Sequence, residues 1–215
     1  LIVAVVVGAF AKLGKHIESF YDLMASVDKL GALFDLPIER TDGLLTTGPT
    51  TGIVAKNVSY SLPDGREILN NVSLSIRSGQ KVAISGTSGG GKSLLLDMLF
   101  GLREPASGLI TVNGIDPRDM RPDVLRRRVA LARDIEVFEV TVAENVHLER
   151  PDISFSDVRT ALEIVGLLPL IQQHPQGLET KLTSAGTPLT TSQLRRLMVA
   201  RAIAGAPEIV LLDEI

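Results

Sequence analysis

Cysteine is absent from this 215-residue chain, which excludes disulfides and cysteine-ligated metal and fits a reducing compartment. Positive charge is not in excess either. Lys and Arg total 22 against 25 Asp and Glu, a net charge of −3, so no overall basic footprint invites nucleic acid. An apolar run of spanning length is also missing. Residues 1–11 carry no charge but are broken by Lys12, well short of the roughly 20 residues that cross a bilayer. Two readings stand for them: the start of a buried helix, or the tail of a membrane helix, whose cytoplasmic flank Lys12, Lys15 and His16 would supply. Neither an internal repeat nor a low-complexity tract stands out.

What is present is a phosphate-binding pattern. Gly86, Thr87, Ser88, Gly89, Gly90, Gly91, Lys92 and Ser93 fit G-x-x-x-x-G-K-[ST]. The apolar run at 81–85 reads as a buried strand before it, and the leucine-rich segment from Leu94 reads as a helix after it. In that setting the glycines turn backbone N–H groups inward around phosphates. Lys92 reaches the β- and γ-phosphates, and the Ser93 hydroxyl is a candidate Mg²⁺ ligand. The helix start adds its positive dipole end.

A second element completes the pattern. Residues 208–214 form an apolar run ending in Asp213 and Glu214. A continuous apolar run suits a central strand of a parallel sheet covered on both faces. Asp213 is placed to hold Mg²⁺ opposite Ser93, and Glu214 to act as the general base on an attacking water. Without the upstream loop, the same two acids would read as a solvated strand end.

The remaining chain alternates strand and helix signals. Ile17, Phe20, Tyr21, Met24, Val27 and Leu30 recur at helical spacing and read as a packing surface. Leu36-Pro37 ends that helix, and residues 42–52 read as a linker. Strands are expected over 53–60 and 71–76 around a turn at Pro63-Asp64-Gly65, and over 110–112 before a tight turn at Asn113-Gly114. A short basic helix over 124–128 leads to a buried strand over 129–132. Helices are expected over 156–165, capped by Ser154 or Ser156, and over 194–204. The fold class that follows is α/β with a parallel sheet.

The stretch between the two nucleotide motifs resembles the ATP-binding-cassette family, of the exporter type that fuses membrane and nucleotide domains in one polypeptide. Residues 25–37 are similar to that family's linker, 58–60, 69–76 and 108–114 to its strand framework, and 141–146 to the segment where its helical subdomain meets the membrane partner. The resemblance implies a P-loop NTPase-type parallel core with an antiparallel β subdomain and a helical subdomain. It also implies residues 1–40 as the end of a transmembrane domain with its linker helix, a linker at 41–52, and a nucleotide-binding domain from 53 to 215, inside a longer multi-pass membrane protein. ATP would lie on Gly86–Ser93 and Leu94, with adenine stacked on Tyr60, and Mg²⁺ between Ser93 and Asp213.

Three departures from the family pattern bear on activity. Arg133 stands where the glutamine that senses Mg²⁺ and the γ-phosphate belongs. A guanidinium has no acceptor oxygen for a metal, and a direct phosphate contact and a salt bridge both remain open for it. The signature loop, which reads a partner's ATP, is Leu189, Thr190, Thr191, Ser192 and Gln193, with Thr191 and Ser192 replacing two glycines. It also reads as a plain helix start capped by Thr191 or Ser192. Residues 183–186 lack the acidic loop's Glu and Arg. Together these imply asymmetric sites in a dimer with a second half-transporter, a heterodimer being favoured, at a cell membrane and without nucleic acid. Two alternatives remain: a regulatory subunit that hydrolyses little, and a soluble cassette ATPase outside transport. His16, His147 and His174 receive no catalytic role.

Overall fold

The computed structural model describes residues 2–36, 38–39, 41–45 and 52–215, with residues 4–11 and 13 described by their backbone alone. The chain divides into two units, 1–40 and 41–215. The first is one helix, α1 (Ile2–Phe34). Its stripe from Ile17 to Leu30 is exposed, so the expected packing surface has no partner inside its own unit. Among the described residues no helix is long and apolar enough to cross a membrane. Pro37 and most of the Gly/Thr/Pro-rich stretch, 46–51, lie outside the described residues.

The second unit begins with an antiparallel sheet of β1 (Gly52–Ser61), β2 (Glu67–Arg77) and β3 (Ser107–Val112), in the order β2-β1-β3. The β1–β2 turn closes where Leu62 and Arg66 pair, as Pro63-Asp64-Gly65 predicts. Alternation along β1 turns Ile53 and Ala55 inward, and an irregularity in the pairing after Ala55 brings in Val58; they share a core with α2 (Lys92–Leu99), where Leu95, Leu96, Met98 and Leu99 are buried. Each of the larger side chains contributes about 1.5–3 kcal/mol by leaving water. Residues 41–45, expected as linker, belong to this unit: Leu44 bridges Met120.

Next come α3 (Pro122–Arg128) and β4 (Val129–Ala132), as expected. β4 pairs in parallel with β5 (Ile209–Leu212), Ala132 opposite Leu212, and the Asp213 N–H donates to the Ala132 carbonyl at 2.9 Å. Asn113 and Glu208 knit the two sheets together. The Asn113 amide donates to Glu208 at 2.6 Å while its Oδ1 accepts from the Gly52 N–H, and Arg128 pairs with Glu208.

Two strand expectations need correction. Residues 81–85 form no strand, and Val82 and Ile84 are exposed. No described strand offers them ladder bonds, so apolar content alone does not make a strand there. β5 is not covered on both faces either. In a two-stranded sheet it is an edge, with Val210 38% and Leu212 52% exposed.

The helical half comprises α4 (Val142–His147), α5 (Phe155–Ile164), α6 (Leu168–Ile171) and α7 (Thr191–Ile203), around a core that includes Val146, Val158, Leu162, Ile171 and Leu197. Three of these helices start in a capping box: Thr141 with Glu144, Ser154 with Asp157, and Thr190 with Gln193. Ser154, not Ser156, therefore caps α5. Thr190, not Thr191 or Ser192, caps α7, because only the N-cap hydroxyl reaches the N–H three residues on.

Candidate nucleotide site

Gly89 and Gly91 take φ of 76° and 79°, the left-handed region a side chain resists. A Cβ on Gly91 would also sit 2.7 Å from Leu69 Cδ2, so the loop is pressed against β2. Residues 86–90 are exposed, while Gly91, Lys92, Ser93 and Leu94 are half-buried. The Lys92 ammonium folds over the loop and donates to the carbonyls of Gly86 at 3.1 Å and Thr87 at 2.8 Å. It thus lies over its own loop. The Leu94 side chain packs on the core, which leaves only its N–H for a ligand.

Lys92, Asp213 and Glu214 line one groove of about 690 Å³ between residues 76–84 and β5. Asp213 is buried and Glu214 exposed, with the Glu214 backbone in the left-handed region at φ 54°. Ser93 and Asp213 supply a hydroxyl and a carboxylate, the hard oxygen donors that suit Mg²⁺.

Arg133 joins these elements. Its Nε donates to Asp213 Oδ2 at 2.7 Å and its Nη2 to the Ser93 carbonyl at 3.2 Å. Its Nη1 lies 2.8 Å from Asp97 Oδ1, an ion pair whose N–H is not aligned for a hydrogen bond. Burial opposes the Arg133 charge, and the contacts with Asp97 and Asp213 outweigh it, holding the guanidinium above its usual range. Of the two roles left open for Arg133, the structure shows the salt bridge.

Asp97 escaped the sequence reading. The available signal was its position on α2, four residues after Ser93 and so one turn along the same face.

Tyr60 is half-buried and absent from the groove's lining, and its hydroxyl lies 3.4 Å from Arg103, which also pairs with Asp97. Thr190, Thr191 and Ser192 are exposed at the start of α7, with Leu189 buried beneath them and Gln193 half-buried. A second cleft, about 810 Å³, opens between β4 and the helical half; Arg133, Glu136, Phe138, Arg150 and Arg201 line it.

Lys92 shares the groove with Asp213 and Glu214, which Gly86–Gly91 and Ser93 do not line, and a glycine loop with its lysine ahead of a helix defines a P-loop nucleotide-binding fold. The family model described as "ABC transporter" matches residues 69–215, and the chain belongs to that family. It is 37% identical over 195 residues to the ATP-dependent lipid A-core flippase of Neisseria gonorrhoeae, covering 89% of this chain and 31% of that protein. It is 36% identical over 160 residues to ATP-binding cassette sub-family B member 6 of Rattus norvegicus, covering 74% of this chain and 19% of that one. Among solved structures, a bacterial Atm1-family ABC exporter with ATP bound superposes with a TM-score of 0.78 at 26% identity, over 94% of this chain and 36% of the exporter. The chain thus spans a third or less of the length of these two relatives.

Proposed function

We propose that the chain is the ATP-binding and ATP-hydrolysing part of a membrane exporter. The observation that carries this reading is one groove lined by Lys92, Asp213 and Glu214. Membership of the ABC transporter family and the exporter among the similar structures support it. The loop amides of 86–93 and Lys92 bind the phosphates, once Lys92 exchanges its two loop carbonyls for phosphate oxygens. Adenine stacks on the Tyr60 ring, outside the groove lined by Lys92, Asp213 and Glu214. Ser93 and Asp213 are the residues to hold Mg²⁺, which neutralises charge on the β- and γ-phosphates when bound. Glu214 accepts a proton from the attacking water, its exposure at the groove leaving it free to do so.

The partner is a second half-transporter, and the membrane connection runs through α1 and its flanking chain. The side chains of Thr191 and Ser192 crowd the surface that would read the partner's nucleotide, which favours a heterodimer whose other member carries glycines there. The cleft beside Phe138 and Arg201 is the surface for the membrane domain. A regulatory, weakly hydrolysing subunit is the second reading, favoured by the Arg133–Asp213 pair.

The test is ATP binding and turnover by the full-length protein and its Glu214→Gln variant. Retained binding with turnover lowered about 100-fold or more, the range of one general base, supports the reading. Unchanged turnover removes Glu214 from its role.

A further inference from the structure

We propose that Arg133 is a tethered cation that competes with Mg²⁺ for Asp213 and makes nucleotide binding at this site only weakly dependent on the metal. The inference rests on the nucleotide-site reading above and deepens it.

The contact is built by strand register. Ala132 and Leu212 are partners in the parallel β4–β5 ladder, and Arg133 and Asp213 are the next residues along each strand. Both therefore leave the same edge of the sheet side by side. Asp97 from α2 and the Ser93 carbonyl from the loop's end close the arrangement. One guanidinium thus touches the loop, the helix that follows it and the strand-end acid.

The side chains of Asp213 and Asp97 are only 7% and 13% exposed, so water screens the ion pairs poorly. A guanidinium cannot shed its proton to make way. A divalent cation approaching Asp213 meets a positive charge already 2.7 Å from one carboxylate oxygen. Its binding therefore requires Arg133 to leave or to share the acid.

Arg133 has somewhere to go. It also lines the cleft of about 810 Å³ beside β4, where Glu136 offers another carboxylate. Its planar fork equally matches phosphate oxygens, so a nucleotide arriving without metal can draw the guanidinium from the acid and pair with it. Glutamine at this position would carry no charge. It would leave Asp213 wholly to the metal, and nucleotide binding would then rise and fall with Mg²⁺.

The experiment titrates the full-length protein with a fluorescent ATP analogue, mant-ATP, in excess Mg²⁺ and in excess EDTA. It also follows free Mn²⁺ by electron paramagnetic resonance in the presence of ATPγS. The native protein is expected to bind mant-ATP nearly as well in EDTA as in Mg²⁺. Arg133→Gln should widen that ratio about tenfold, equivalent to ~1.4 kcal/mol, and tighten Mn²⁺ binding by a similar factor. Because Arg133→Gln leaves Asp213 without its cation and Asp97 with Arg103 alone, the double variant R133Q/D97N reads the same ratio with the charge rebalanced. Equal ratios in native protein and variants, with mant-ATP binding intact, overturn the inference alone. Absence of mant-ATP binding in every protein and condition overturns the nucleotide-site reading and the inference with it.

Discussion

Arg201 Nε donates to the Asn145 backbone carbonyl at 2.7 Å, and its Nη2 reaches Asn145 Oδ1 at 3.1 Å. Asn145 is fully buried, and its amide also donates to the carbonyls of Phe138 and Thr141 while its Oδ1 accepts from the Phe138 N–H. The segment around Phe138 is thereby fastened through Asn145 to Arg201 on α7.

Asn145→Ala removes the side-chain bonds and leaves Arg201 Nη2 and the Phe138 N–H without their partner, while the Phe138 and Thr141 carbonyls keep the backbone N–H groups of residues 140 and 145. A loss of about 2–4 kcal/mol is expected, since each stranded buried group costs about 1–3 kcal/mol. Urea unfolding measures it. A loss below about 0.5 kcal/mol would mean that water replaces the amide at little cost.

The first residues of α7 give a second expectation. Thr191→Gly with Ser192→Gly should raise turnover of the protein acting as its own partner by about tenfold, the worth of one recovered phosphate hydrogen bond. Thr190 keeps the capping box, so the helix start survives. Steady-state ATPase of the homodimer checks this, and no increase would place the defect elsewhere than the signature loop.

Acid should loosen the helical half. Hydrogen bonds from Thr141 hold the Glu144 carboxyl below its usual range, and those from Ser154 do the same for Asp157. Carboxyls depressed in the folded state contribute stability that is present above their unfolded values, 4.5 and 3.8, and is lost as pH falls through the folded ones. Thermal unfolding across pH 3 to 6 should fall less steeply in Glu144→Gln and Asp157→Asn than in the native chain. Identical slopes would remove the caps from the acid response.

Much of this was legible because local chemistry fixes it. The glycine pattern of 86–93 states its own backbone conformation, and Ser154 with Asp157 announces a helix start three residues apart. The run at 81–85 misled because a strand is defined by its neighbours: with no ladder partner, Val82 and Ile84 stay exposed. The apolar β5 misled for the same reason, one of its edges being open. The family resemblance put Arg133 where a glutamine is expected, yet its salt bridge depended on Asp97 and Asp213 converging from two other elements. No single stretch of sequence displays that convergence.

The central claim, that the amides of 86–93 and the Lys92 ammonium grip a triphosphate, is tested most directly by equilibrium binding of mant-ATP to the full-length protein and its Lys92→Ala variant. Losing a charge-assisted contact worth about 1.5–3 kcal/mol should weaken binding by about 10- to 100-fold. Equal affinity in the two proteins would contradict the account.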